Sequence, residues 1–276
     1  MNILKSIKKN ARKNGTIMTN NPKADELTIL FNKMFYLPKN KELESSFVAQ
    51  VITRGKEGSE RVGLHASSII KSEDYCIRKQ VLSLVYQQAQ GEELSVGIKR
   101  IFEEGNAIHE KWQRLFLRAG YSRVKDLDFT QYKNEWMLSF TPDIICDIPG
   151  FGKMVGEIKS VNAYQYEKMT HHPSASKQLQ WYMYLTGIHK GFVLNENKNT
   201  QDFKIEYYEF DENVVKPFIE KITEIMKAYK NFIKNKKMAT KPYIATSPDC
   251  DFCDKCAMKN ACWNIGFGRV KLKGGK

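Results

Sequence analysis

The sequence predicts an α/β fold, a mixed β-sheet with helices packed on its faces, and three observations predict it. Apolar positions recur at helical spacing near both ends of the chain. Between residues 124 and 160 the period shortens to that of strands. Beyond residue 160, helix and strand signals alternate, as they do where helices cover a sheet. With 276 residues, 42% of them hydrophobic, the chain can bury a sizeable core, expected as one main domain with appendages.

Taken in order, residues 1–21 read as a disordered basic arm. From Asp25, the spacing of Leu27, Leu30, Phe31, Met34 and Phe35 predicts a helix that Pro38 closes. Residues 39–64 carry Gly55, Gly58 and Gly63 among charges and read as mostly loop. Helical signals return at 67–90 and at about 97–119, where Ile101, Ile108, Trp112 and Leu115 mark a buried stripe. Strands are expected at 124–131, 135–146 and 153–160, with Pro149-Gly-Phe-Gly152 turning the second into the third. A helix at about 173–187, strands at 191–196 and 203–210 and a long helix at 211–236 complete the series. Phe218, Ile222, Ile225, Tyr229 and Phe232 line one side of that last helix.

Charge narrows the function classes. Lys and Arg number 44 against 31 Asp and Glu, a net +13, which favours a polyanionic partner. Lys5, Lys8, Lys9, Arg12 and Lys13 form one block without acids; Lys227, Lys230, Lys234, Lys236, Lys237 and Lys241 form another. Both are read as phosphate contacts. No apolar run approaches the roughly 18 residues needed to cross a bilayer, and the basic start lacks the apolar region of a secretory signal. A cytoplasmic protein with no membrane partner is expected. No GxxxxGK[ST] phosphate loop occurs in the sequence.

The segment Val155-Gly-Glu-Ile-Lys-Ser160 places Glu157 and Lys159 on the same strand face. Asp143 follows Pro142, with thirteen residues between it and Glu157, and a hairpin of that length can bring it beside them. Two carboxylates can hold a hard divalent cation through oxygen. Such an ion acidifies water and offsets charge at a scissile phosphate, while a lysine positions that water. Asp147 is a competing acid, but Asp143 holds the position after proline.

The arrangement Pro142-Asp143…Glu157-Ile-Lys159 resembles the core motif of the PD-(D/E)XK nucleases, and more closely their RecB-like iron–sulfur branch. That branch includes CRISPR-adaptation exonucleases and AddB-type nuclease domains. Gly105-Asn-Ala-Ile-His109 resembles its upstream histidine motif, with Gly105 leaving room on the face of His109. Gln178-Leu-Gln-Trp-Tyr182 resembles its QhxxY motif. The resemblance covers about residues 64–263. It implies a restriction-endonuclease-like sheet and Mg2+ or Mn2+ held by His109, Asp143, Glu157 and the main-chain carbonyl of Ile158. In the same reading Lys159 assists the water, while Gln178 and Tyr182 guide the strand.

Of six cysteines, Cys146 reads as a small core hydrophobe, and Cys76, Cys250, Cys253, Cys256 and Cys262 stand at metal-ligand spacings. Four thiolates fit either zinc or an iron–sulfur cluster. The resemblance implies a cluster, expected as 4Fe-4S, on Cys76, Cys253, Cys256 and Cys262. Cys250 is a fifth candidate, and zinc held wholly within residues 250–262 stays open. Either would staple the chain's tail to its fold.

The expected segments are therefore the arm, an N-terminal helix and loop of unassigned role at 22–63, a nuclease core at 64–246, and a cysteine module with a basic tail at 247–276. The expected function is a metal-dependent deoxyribonuclease, an exonuclease on single strands or duplex ends. No helicase motor is present, so a helicase or other processing partner opens the DNA, or the substrate is already open. Two alternatives remain: a DNA-binding module that keeps the fold without catalysis, and a zinc-stapled interaction module of a larger complex.

Overall fold

The computed structural model describes residues 19–56, 63–70, 75–86, 95–254 and 256–263. The first basic block, Lys5 to Lys13, lies outside them. The chain divides into two compact units.

Unit one comprises residues 1–59, 95–130 and 141–212. It holds helices α1 (Pro22–Met34) and α2 (Lys41–Lys56), with α5 (Val96–Arg118) later in the chain. A four-stranded sheet follows in the order β4 (Ile144–Ile148), β5 (Gly152–Val161), β6 (Lys190–Asn197) and β7 (Phe203–Glu209). Strand β5 pairs antiparallel with β4 and parallel with β6, and β7 closes the sheet antiparallel to β6. The parallel step needs a crossover. It is made by α6 (Ala163–Lys168) and α7 (Pro173–Thr186), the latter begun by Pro173 and stopped by Gly187 at φ 70°.

Phe31 on α1 meets Phe116 edge-on at 5.0 Å and Phe192 at 5.1 Å, and Trp112 meets Phe203 at 4.8 Å. Each such pair adds about 0.5–1.5 kcal/mol beyond the area it buries. The N-terminal helix, which lies outside the family resemblance, is thus part of the core: Ala24, Leu27, Phe31 and Met34 are all buried. Gly156 lets β5 sit against the Phe192 ring, which a Cβ at that position would strike.

Unit two comprises residues 60–94, 131–140 and 213–276. Its three-stranded sheet has the order β1 (Leu64–His65), β3 (Leu138–Phe140), β2 (Gln131–Lys133), with β1 parallel and β2 antiparallel to β3. Its helices are α3 (Ala66–Ile70), α4 (Ile77–Val85), α8 (Glu212–Asn235), α9 (Asp251–Asp254) and α10 (Lys259–Trp263). Val215, Phe218, Ile222 and Ile225 make the buried stripe of α8.

Several expectations are corrected. Residues 41–56, read as loop, are helix. The segment expected as one strand at 135–146 is two, because Pro142 offers no N–H to a ladder. The expected strand at 124–131 is a 3-10 turn at Val124–Asp126 that leads towards β2. The expected helix at 67–90 is the separate pair α3 and α4. Ile101, expected in a buried stripe, is 56% exposed. No described helix is long and apolar enough to cross a membrane.

Candidate active site

Three elements of unit one converge on one group of side chains. The break at Pro142 starts β4 only at Ile144, whose partner across the sheet is Gly156. Asp143 therefore stands beside the stretch of β5 that has no β4 partner. Its Oδ2 accepts a hydrogen bond from the main-chain N–H of Ile158 at 2.7 Å. In an extended strand a residue's N–H and C=O point to the same side, so the Ile158 carbonyl faces this site as well. From α5, His109 brings Nδ1 to 3.3 Å from Asp143 Oδ1. One turn further on, Gln113 donates from Nε2 to the Asp143 carbonyl at 2.9 Å.

Glu157 is 1% exposed, and its Oε1 accepts from Lys159 Nζ at 2.5 Å. Its other oxygen, Oε2, is buried without a hydrogen-bond partner. Lys159 Nζ also lies 3.4 Å from Gln178 Oε1, and Gln178 Nε2 donates to the Tyr182 hydroxyl at 3.1 Å. Tyr182 is only 2% exposed, so it stands behind Gln178 instead of on the surface. Asp147 is exposed and opposite Lys153 at the other end of β4, about 13 Å along the strand from Asp143.

The electrostatics follow from this crowding. Burial, and then the Asp143 carboxylate, pushes the Glu157 carboxyl up to about 8. Burial works against charge on His109, but the Asp143 carboxylate outweighs it and raises the imidazole to about 9. Burial opposes ionisation of Asp143 too, yet His109, Lys159 and the Ile158 N–H together hold it below its usual range. Burial likewise opposes the Lys159 charge, and the two carboxylates raise it, so Lys159 stays an ammonium. A buried acid pair with one orphaned oxygen suits a hard divalent cation, which takes oxygen ligands and offsets like-charge repulsion.

Two contributors had escaped the sequence reading. Gln113 is spaced i+4 from His109, which is the signal that could have found it. His172 caps α7, accepting from the Ala175 N–H at 3.3 Å. Burial and the Lys159 ammonium lower its pKa.

Unit two gathers the cysteines. Cys76, Cys253, Cys256 and Cys262 line one cavity of about 240 Å3, together with Lys79, Lys241 and Trp263. The Trp263 indole N–H is buried against the Cys253 thiol. Burial first, then the neighbouring Cys256 and Cys262 sulfurs, raises the Cys76 thiol. Cys250 does not line the cavity. Hydrogen bonding to the main chain at Ser247 pulls its thiol down to about 7, and it also bonds to Cys253. Cys146 is 3% exposed in the core of unit one. Among the described residues, no three His, Cys, Asp or Glu side chains converge closely enough to hold a single ion.

No protein-family model and no curated protein matches the chain. Among solved structures it is similar to LHK-Exo in complex with dAMP, at 13% identity and a TM-score of 0.47 over 63% of this chain and 92% of that one. It is also similar to the alkaline exonuclease LHK-Exo from Laribacter hongkongensis, with 14% identity, a TM-score of 0.43 and the same coverage. SSO0001 shares 12% identity at a TM-score of 0.39, over 80% of this chain and 95% of that one.

Proposed function

We propose that the chain is a metal-dependent deoxyribonuclease of the PD-(D/E)XK kind, acting as an exonuclease on single-stranded DNA or duplex ends. The observation that carries this reading is the orphaned Glu157 Oε2, buried beside Asp143 with Lys159 on the same face. An unpartnered buried oxygen costs about 1–3 kcal/mol, and a cation bound there takes the place of the proton that Glu157 otherwise holds. Asp143, Glu157, the Ile158 carbonyl and His109 would hold Mg2+ or Mn2+, the three side chains drawing closer around the ion than they stand without it. When bound, the ion acidifies water and stabilises charge at the phosphate.

The chain's own residues supply the rest. Lys159, an ammonium, donates to the attacking water or a phosphate oxygen and takes no proton. Gln178 and, behind it, Tyr182 hold Lys159 in place. Gln113 fixes the Asp143 backbone. The water oxygen bonds to phosphorus as the P–O bond to the leaving sugar breaks, and water's protons pass to solvent and the leaving oxygen. The second basic block, with Lys227, Lys230, Lys234, Lys236 and Lys237 all exposed, would contact phosphates.

In unit two, Cys76, Cys253, Cys256 and Cys262 would hold an iron–sulfur cluster, expected as 4Fe-4S. The supporting observations are that all four line one cavity and that the Trp263 indole stands against Cys253, a donor suited to a cluster sulfur. Zinc is the competing reading, with Cys250 in the ligand set because it touches Cys253.

The test is incubation with end-labelled single-stranded and blunt duplex DNA, with Mg2+, with Mn2+ and with chelator. Metal-dependent release of short products from an end is expected. No cleavage of either substrate with either metal would leave the DNA-binding module as the better reading.

A further inference from the structure

Helix α5 outruns the core it packs on. Its C-terminal half buries Ile108, Trp112, Leu115 and Phe116. Its N-terminal half carries four large apolar side chains in water: Val96 is 64% exposed, Ile98 42%, Ile101 56% and Phe102 54%. Isolated exposed apolar side chains are ordinary, but Ile98, Ile101 and Phe102 lie within about 100° of one another around the helix and form a patch, and such patches mark binding surfaces.

The position of the patch identifies what it binds. Ile98 and Phe102 precede His109 by eleven and seven residues. At 100° per residue both lie within about 20° of His109 around the helix, at roughly 16 and 10 Å along its axis. Between them and His109 stands Gly105, and a Cβ there would meet only Ser160 Oγ, at 3.8 Å, an ordinary contact. Packing therefore does not demand the glycine, and its absent side chain leaves a shallow step between the apolar stripe and the candidate site. Lys99 is exposed about 80° round the helix from His109, and Arg100 is exposed on the opposite face. Of the two acids there, Glu104 faces Lys198 at 3.7 Å and Glu103 is exposed.

We propose that this stripe is a stacking platform for the unpaired bases of the DNA strand held at the site, with Phe102 as its main contact and Ile98 and Ile101 beside it. The inference rests on the nuclease reading. Exposed aromatic and apolar groups flanked by cations bind single strands through base stacking and phosphate attraction together. A paired duplex keeps its base faces covered and offers such a stripe little beyond phosphates. Unpaired DNA is thus the occupant that matches an apolar stripe in line with the candidate site.

The experiment measures affinity of the full chain, without divalent metal, for fluorescent oligothymidylate and for a blunt duplex, at several salt concentrations. Phe102→Ala is expected to weaken single-strand binding about tenfold, leaving duplex binding and the salt slope unchanged. Phe102→Tyr should restore it, and Ile98→Asn should reproduce a smaller loss should Phe102→Ala melt early. Equal loss on both DNAs, or no loss, overturns the platform. So does a change in sedimentation from self-association to monomer on Phe102→Ala, which would assign the stripe to a second copy. Cleavage by the wild type with unchanged Phe102→Ala binding sinks the platform alone. Phe102-dependent binding without any cleavage sinks the nuclease reading alone.

Discussion

Asp143 Oδ2 is bound to the main-chain N–H of Ile158 at 2.7 Å, which ties the start of one strand to the middle of the next. This bond fixes the carboxylate against β5 and leaves Oδ1 for His109, at 3.3 Å, and for a cation. Asp143→Asn keeps an acceptor for Ile158 but removes the charge. Mn2+ affinity by calorimetry is therefore expected to fall at least tenfold in this variant, with thermal stability close to wild type. Asp143→Ala should lose both affinity and stability.

The buried acid gives the metal-free protein a defined pH response. Glu157 and His109 both bind protons more tightly folded than unfolded, at about 8 against 4.5 and about 9 against 6.5. The sign is the same for each. The stability they add is fully present below 4.5 and 6.5, and is lost as pH rises through about 8 and 9. The melting temperature should fall across that window, and Glu157→Gln should flatten the fall. Mg2+ should raise it more at pH 9 than at pH 6, because the ion takes the place of protons. A pH-independent shift with Mg2+ would argue against a cation at Glu157.

Tyr182 acts through Gln178. Tyr182→Phe leaves the Gln178 amide without its acceptor, a loss of about 1 kcal/mol or roughly fivefold in rate. Turnover should drop by that factor with KM unchanged, since a residue 2% exposed does not touch DNA. A change in KM alone would place Tyr182 in the DNA path instead.

Much of this site was legible in the sequence. The spacing of Asp143, Glu157 and Lys159 requires only a hairpin and strand alternation to bring them together, and both are local rules. Gln178 and Tyr182 were legible as a pair, but their inward orientation depends on how α7 seats on the sheet, which spacing does not encode. Helix α2 was missed because Ser45, Ser46 and Gly55 dilute its pattern, while its start after Asn40 is marked by Glu42 and Glu44. Ile101 was misplaced for the opposite reason: its periodicity is sound, but the core ends before the helix does.

The cavity in unit two predicts unequal roles for the cysteines. Cys76→Ser should abolish visible cluster absorbance and lower iron content, although it is distant in sequence from Cys253. Cys250→Ser should be mild, because Cys250 touches Cys253 without lining the cavity. Full metal content in Cys76→Ser, as zinc, would favour a site confined to residues 250–262.

In the proposed reaction Asp143 and Glu157 form a cation-dependent hydrolytic site. Its most direct test is single-turnover cleavage of end-labelled DNA with Mn2+ by wild type and Glu157→Gln, with DNA affinity measured alongside. The expected result is a loss of at least about 1,000-fold in rate, equivalent to roughly 4 kcal/mol, with affinity retained. Cleavage by Glu157→Gln at the wild-type rate would contradict it.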